Sequence, residues 1–158
     1  MHFRIQHRYD AAPARVFAML IDPEFLDSMF TGPQDLPHKI SVTGAHTVLR
    51  VDSPAPRQVK RYVGDTLHVT MDLNWSDQTE ADGSRSGPFR VTVLRTPTGV
   101  NGTATIAPDG DGTTVTYDGE FTVRVPVLGT KMEKMASPQV TRVLDVQQEA
   151  GRAWLAAH

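Results

Sequence analysis

Apolar and polar residues alternate with a period of two along much of this chain, and the period lengthens near the start and at the end. From His2 to Asp10, Phe3, Ile5, His7 and Tyr9 share one face and Arg4, Gln6 and Arg8 the other, as in a half-buried strand. Ala12-Pro13 ends the extended chain, and Pro13 suits a first helical turn, where its missing N–H costs nothing. Val16, Phe17, Leu20 and Ile21 follow at helical spacing. Asp22-Pro23 breaks that helix and starts a second, which carries Phe25, Leu26, Met29 and Phe30 and closes at Thr31-Gly32-Pro33.

From Pro37 to Arg124 the period is mostly two. Ile40 and Val42, then Leu49 and Val51, predict two short strands around Gly44-Ala45, followed by a loop at Ser53-Pro54-Ala55-Pro56. The clearest strand runs from Thr66 to Ser76, with Leu67, Val69, Met71, Leu73 and Trp75 on one face. The run from Asp82 through Ser86-Gly87-Pro88 reads as a polar turn. Phe89, Val91 and Val93 make the next strand, Pro97-Thr98-Gly99 turns it, and Gly102, Ala104 and Ile106 make another. Asp109-Gly110-Asp111-Gly112 is a strong hairpin signal. Val115, Tyr117, Phe121, Val123 and Val125 then line one face of a long strand. Met132, Met135, Val140, Val143, Gln147, Ala150 and Trp154 recur at steps of three and four, which predicts a helix with one mainly apolar stripe. Ser137-Pro138 is a good cap-and-first-turn pair, so that helix is expected to kink or restart there.

The order is strand, two short helices, about six strands, helix. Tight turns imply antiparallel pairing, and the apolar face of such a sheet needs a cover, which the last helix supplies. The expected class is α+β: a curved antiparallel sheet of about seven strands in one domain spanning residues 1–158, with a long C-terminal helix over it.

Composition narrows the function. The apolar fraction is 39% and the charged fraction 22%, as in a globular chain able to bury a core without staples. With no cysteine, disulfides, thiol nucleophiles and thiolate metal sites are excluded, and a reducing, cytoplasmic setting is expected. No stretch approaches the roughly 20 apolar residues of a membrane span, and the alternating N-terminus is not a signal peptide. Net charge is −2, with no basic stripe, so nucleic acid is not an expected partner.

With that element order the chain resembles the START/Bet v 1-like superfamily, also called SRPBCC, and within it a family of uncharacterised actinobacterial proteins sharing a domain of unknown function. The likeness is carried by Tyr9-Asp10-Ala11-Ala12-Pro13-Ala14-Arg15-Val16-Phe17, by Arg61-Tyr62-Val63-Gly64 and Trp75, by Val123-Arg124-Val125-Pro126-Val127-Leu128-Gly129 running into Lys131-Met132-Glu133, and by Ala153-Trp154-Leu155-Ala156. The opening motif is shared by many branches; the Val-Pro-Val-Leu-Gly run into Met-Glu is more specific. The resemblance implies a helix-grip fold whose cavity takes lipids, sterols, polyketides or plant hormones. It transfers no catalytic residue.

Among the candidate residues His7 is the most informative, because its strand phase places an imidazole on an otherwise apolar face. It either meets the polar head of a ligand or is a buried histidine satisfied by the backbone or Tyr117. Tyr9 and Tyr117 share that ambiguity. Phe17, Phe25, Phe30, Leu49, Met71, Leu73, Trp75, Phe89, Val91, Phe121, Met132, Met135, Val140 and Val143 complete the expected ligand wall, each of which is also an ordinary core residue. His38 and His46 could approach across a hairpin, but no third metal ligand has suitable spacing. Arg57, Lys60 and Arg61 form either a solvated basic turn or a guide for an anionic head group. No phosphate loop, dinucleotide fingerprint, nucleophile elbow or zinc-protease motif occurs, so no cofactor or catalytic residue is assigned.

These readings favour a binder of a hydrophobic small molecule, acting as a monomer or weak homodimer. A cyclase/aromatase-like enzyme and a protein-interaction module are the alternatives.

Overall fold

The computed structural model describes residues 1–31, 35–124 and 129–158, and the side chains of 129–132 and 135–140 fall outside that description. Seven strands form one antiparallel sheet in the order β1-β7-β6-β5-β4-β3-β2. They are β1 (His2–Tyr9), β2 (His38–Thr43), β3 (His46–Pro54), β4 (Thr66–Asn74), β5 (Arg85–Val93), β6 (Thr98–Asp109) and β7 (Gly112–Val123). Helices α1 (Pro13–Leu20) and α2 (Pro23–Ser28) follow β1, a single turn α3 (Lys60–Val63) precedes β4, and α4 (Gly129–Ala157) ends the chain. This is the expected helix-grip arrangement of an antiparallel sheet and a long C-terminal helix.

Local chemistry sets the element ends. Pro13 opens α1, whose Val16, Met19 and Leu20 are buried against the sheet. Each such side chain contributes about 1.5–3 kcal/mol. The Asp22 carboxylate caps α2, accepting from the Glu24 N–H at 2.8 Å and the Phe25 N–H at 3.3 Å. The Thr113 hydroxyl donates to the Ala11 carbonyl at 2.6 Å in the interior, tying the start of β7 to the chain leaving β1. Gly110, with φ 57°, makes the tight turn between β6 and β7.

One reading is corrected and another narrowed. Ser86-Gly87-Pro88 lie inside β5, paired with β6, and not in a turn. Gly87 is required there because a Cβ would sit 2.2 Å from the Asn74 carbonyl oxygen and 2.8 Å from the Trp75 Cα. The preceding turn ends at Ser84. The last helix is one unbroken element from Gly129 to Ala157 that passes through Ser137-Pro138 without a restart.

Register places the concave face. His7, Val115, Ile106 and Arg85 form one row across β1, β7, β6 and β5. Phe3, Gly119, Gly102, Phe89, Leu73, Thr47 and Val42 form a row crossing all seven strands. Phe121, Val100, Val91, Met71, Leu49 and Ile40 make a further row. α1 lies on β6 and β7, and α4 on β7, β1, α1 and α2. The helical cover described is therefore heaviest at the β1–β7 side.

Candidate ligand site

The α4 residues turned towards the core include Leu144, Gln147, Ala150, Gly151, Trp154 and Leu155. Gly151 lets the helix backbone close on Tyr9: a Cβ there would lie 2.7 Å from Tyr9 Cε1 and 3.1 Å from Met19 Cε. Trp154 packs edge-on against Phe25 of α2, with ring centres 5.9 Å apart. Farther forward, the Glu133 carboxylate accepts from the Val123 N–H at 3.1 Å. With the helix turned this way Val143 points off the buried stripe and is 49% exposed, so it does not join the other expected wall residues. Met132, Met135 and Val140 lie outside the described residues.

Most of the expected wall does come together. Tyr9, Phe25, Phe30, Leu49, Trp75 and Tyr117 are buried in the main cluster, with Phe17, Met71, Leu73 and Phe89 packed against it. Phe121 is buried in a second cluster with Val100 and Val123, and Val91 and Phe89 border it. Phe25 belongs to the contact between α2 and α4 rather than to the sheet face. Around Met71 and Val91 the apolar face is only partly buried, as are Leu67, Val69 and Val93 beside them.

His7 is 1% exposed, and neither ring nitrogen has a hydrogen-bond partner among the described residues. Tyr117 does not satisfy it. The two rings meet edge-on at 5.6 Å, and the Tyr117 side chain hydrogen-bonds Gln147. Burial is the main force that lowers the His7 pKa below 6.5; Asp145 opposes it and Arg152 adds to it. The imidazole is thus held neutral, with one N–H and one bare nitrogen facing the interior. Burial also pushes the Tyr9 phenol up to about 12 and the Tyr117 phenol higher still. Among the described residues two more buried donors lack partners: Trp75 Nε1 and Arg85 Nε. Arg85 lies in the His7 row, three strand spacings or roughly 14 Å away along the sheet. Sequence reasoning missed Arg85 because it sits in what reads as a polar turn, and Gln147 because it reads as one member of an apolar stripe.

The remaining histidines serve surface contacts. His38 and His46 stand at opposite ends of the β2–β3 hairpin, opposite Val51 and Thr43, so they do not approach each other. His46 pairs with Asp72 at 2.8 Å and His68 with Asp52 at 2.7 Å on the outer face. Arg57, Lys60 and Arg61 are exposed, with the Arg61 guanidinium over the Tyr62 ring. An open hollow of about 400 Å³ at the Trp75–Gly87 end of β4 and β5 has a largely polar lining that includes Asn74, Ser76, Asp77, Ser86 and Thr103. Such a lining does not suit an apolar ligand.

A model of a family described as a protein of unknown function, DUF2505, matches residues 4–155. The chain belongs to the DUF2505 family. Solved structures show how widely its fold is shared. This DUF2505 chain is similar to a STAR-related lipid transfer protein from Xanthomonas axonopodis, with 21% identity, 98% of this chain and 85% of that one covered, and a TM-score of 0.65. It is also similar to the Zhui aromatase/cyclase from Streptomyces sp. R1128, with 14% identity, 97% and 92% covered, and a TM-score of 0.64. Ara h 8.0201 matches with 12% identity, 100% and 99% covered, and a TM-score of 0.64. No curated protein sequence matches the chain. Among the described residues of this DUF2505 protein, no helix is long and apolar enough to cross a membrane.

Proposed function

We propose that this DUF2505 protein binds a hydrophobic small molecule, lipid-, sterol- or polyketide-like, between the concave face of the sheet and α4. The observation that carries this reading is the face itself: rows of apolar side chains cross up to seven strands, yet around Met71 and Val91 they are only partly buried. A face of that kind is stabilised by an apolar occupant. His7 supplies a neutral polar mark inside it, able to give and to accept one hydrogen bond with a hydroxyl of the ligand. The lipid-transfer and aromatase/cyclase proteins that share the fold support the same reading.

Native mass spectrometry after gentle purification, paired with displacement of a fluorescent fatty acid by a panel of lipids, sterols and aromatic polyketides, tests it. A co-purifying species or a saturable displacement is expected; neither across the whole panel would contradict it. A cyclase-like reaction is the second reading, favoured by the neutral imidazole of His7 lying 5.6 Å from the Tyr117 ring. It requires turnover of a bound polyketide that is lost in His7→Leu.

A further inference from the structure

We propose that Arg85 and Trp75 form a two-donor corner that holds a carboxylate or carbonyl oxygen of the bound molecule, so that the ligand is an apolar acid rather than a plain hydrocarbon or alcohol. This rests on the hydrophobic-ligand reading and names the chemistry of one end of that ligand.

The corner is built by register. Phe89 of β5 lies opposite Leu73 of β4, and the Ser76 N–H donates to the Ser86 carbonyl at 2.9 Å, so the pairing continues past the end of β4 and sets Trp75 opposite Gly87. Arg85 is then the diagonal neighbour of Trp75 on the same face, within reach of a long side chain. At Gly87 the Asn74–Trp75 backbone closes in, a Cβ there lying 2.2 Å from the Asn74 carbonyl oxygen, and this close approach holds Trp75 against β5. Both residues close on Phe17 of α1: the Arg85 guanidinium carbon is 3.8 Å from the ring centre, and the Trp75 ring meets Phe17 edge-on at 6.3 Å.

The donors there are in excess. Trp75 is 1% exposed, and among the described residues neither its Nε1–H nor the buried Arg85 Nε–H has an acceptor. One guanidinium N–H donates to the Ser76 carbonyl at 2.7 Å, and the guanidinium lies over the face of the Phe17 ring. Among the described residues no carboxylate forms an ion pair with Arg85. Neither indole N–H nor guanidinium can accept a hydrogen bond, so the group that completes this corner must be an acceptor. The cation, with no carboxylate partner among the described residues, favours an anionic one. Phe17, partly exposed and in contact with both side chains, is the residue a ligand displaces on entry.

The test compares 1-pyrenedodecanoic acid with 1-pyrenedodecanol and 1-dodecylpyrene, by fluorescence titration of the whole chain, for wild type, Arg85→Met and Trp75→Phe. Thermal melts of each variant report folding, and the hydrocarbon serves as the internal control of an intact apolar wall. The acid is expected to bind about tenfold or more tightly than the alcohol in wild type, the loss of a charged hydrogen bond being of that size. Arg85→Met should erase the preference while leaving hydrocarbon affinity within about twofold, and Trp75→Phe should reduce it. Equal affinity for acid and hydrocarbon, unchanged in Arg85→Met, would overturn the corner and leave the hydrophobic-ligand reading standing. No binding of any of the three probes would overturn both.

Discussion

Replacing His7 by leucine should make the protein more stable, and the gain should grow in acid. The imidazole is buried with two unpartnered nitrogens, and each such atom costs about 1–3 kcal/mol. Against that relief stand two edge-on ring contacts, to Tyr9 at 6.3 Å and Tyr117 at 5.6 Å, each worth about 0.5–1.5 kcal/mol. Leucine has a similar volume and no polar atom, so the balance is a gain of roughly 1–2 kcal/mol. For a chain of this size that raises Tm by about 2–8 °C. The pH dependence gives a second readout. Burial lowers the folded pKa of His7 below 6.5, so below pH 6.5 the unfolded chain takes up a proton that the folded chain refuses. Wild type therefore loses stability as pH falls from 6.5 towards the folded value, at up to about 1.4 kcal/mol per pH unit. His7→Leu lacks this loss, and its advantage widens between pH 7 and pH 5.5. Paired calorimetric melts of both proteins across that range measure it. A lower Tm for the variant, or an advantage flat with pH, would mean that the imidazole is satisfied in the fold and is an ordinary structural histidine.

Other outcomes follow from the same contacts. Gly151→Ala should lower Tm: helix propensity alone favours alanine by about 1 kcal/mol, but the added carbon sits 2.7 Å from the buried Tyr9 ring, and overpacking costs about 1–3 kcal/mol. A rise in Tm would show that α4 is not held that closely. His38 behaves oppositely to His7. Its Nδ1 faces the Leu36 carbonyl at 2.6 Å and its Nε2 the Asp27 carboxylate at 2.5 Å, two acceptors that only the imidazolium can serve together. The Leu36 carbonyl and Asp27 raise its pKa above 6.5, so its contribution is complete below pH 6.5 and fades as pH rises through the folded value. In His38→Gln that alkaline decline should be missing from the variant's own profile of Tm against pH; an unchanged decline would refute the assignment.

How far the sequence disclosed this structure depends on which signals were local. Alternation marked β1, β4 and β7 with their inward faces, since a period of two leaves only two choices of face. The Asp22-Pro23 start of α2 and the Asp109–Gly112 hairpin were legible from turn and cap chemistry. Gly87 and Pro88 misled, because they read as breakers: the need for Gly87 comes from the Asn74 carbonyl on a neighbouring strand, a contact invisible in one dimension. At Pro138, where a kink or a restart is expected, α4 shows no restart. Along α4 the expected stripe holds at Gln147, Ala150 and Trp154 and departs at Val143, where Leu144 packs on the core instead. Gly151 lets the helix backbone come close to Tyr9 on that side. His7 was legible as an inward polar residue, but its lack of a partner was not, and Arg85 was lost in a turn-like run. Orphaned donors are a property of three-dimensional packing and leave no trace in spacing.

The most direct test of the central claim uses the alternation of the strands. A diazirine-bearing fatty acid, photolysed on the intact protein and mapped to single residues by tandem mass spectrometry, reports which face the ligand touches. The hydrophobic-ligand account predicts adducts at the inward positions of β4 and β5, Met71, Phe89 and Val91, and at Leu49 of β3. Adducts at the outward neighbours Thr70, Asp72, Arg90 and Thr92, or none above a protein-free control, would contradict it.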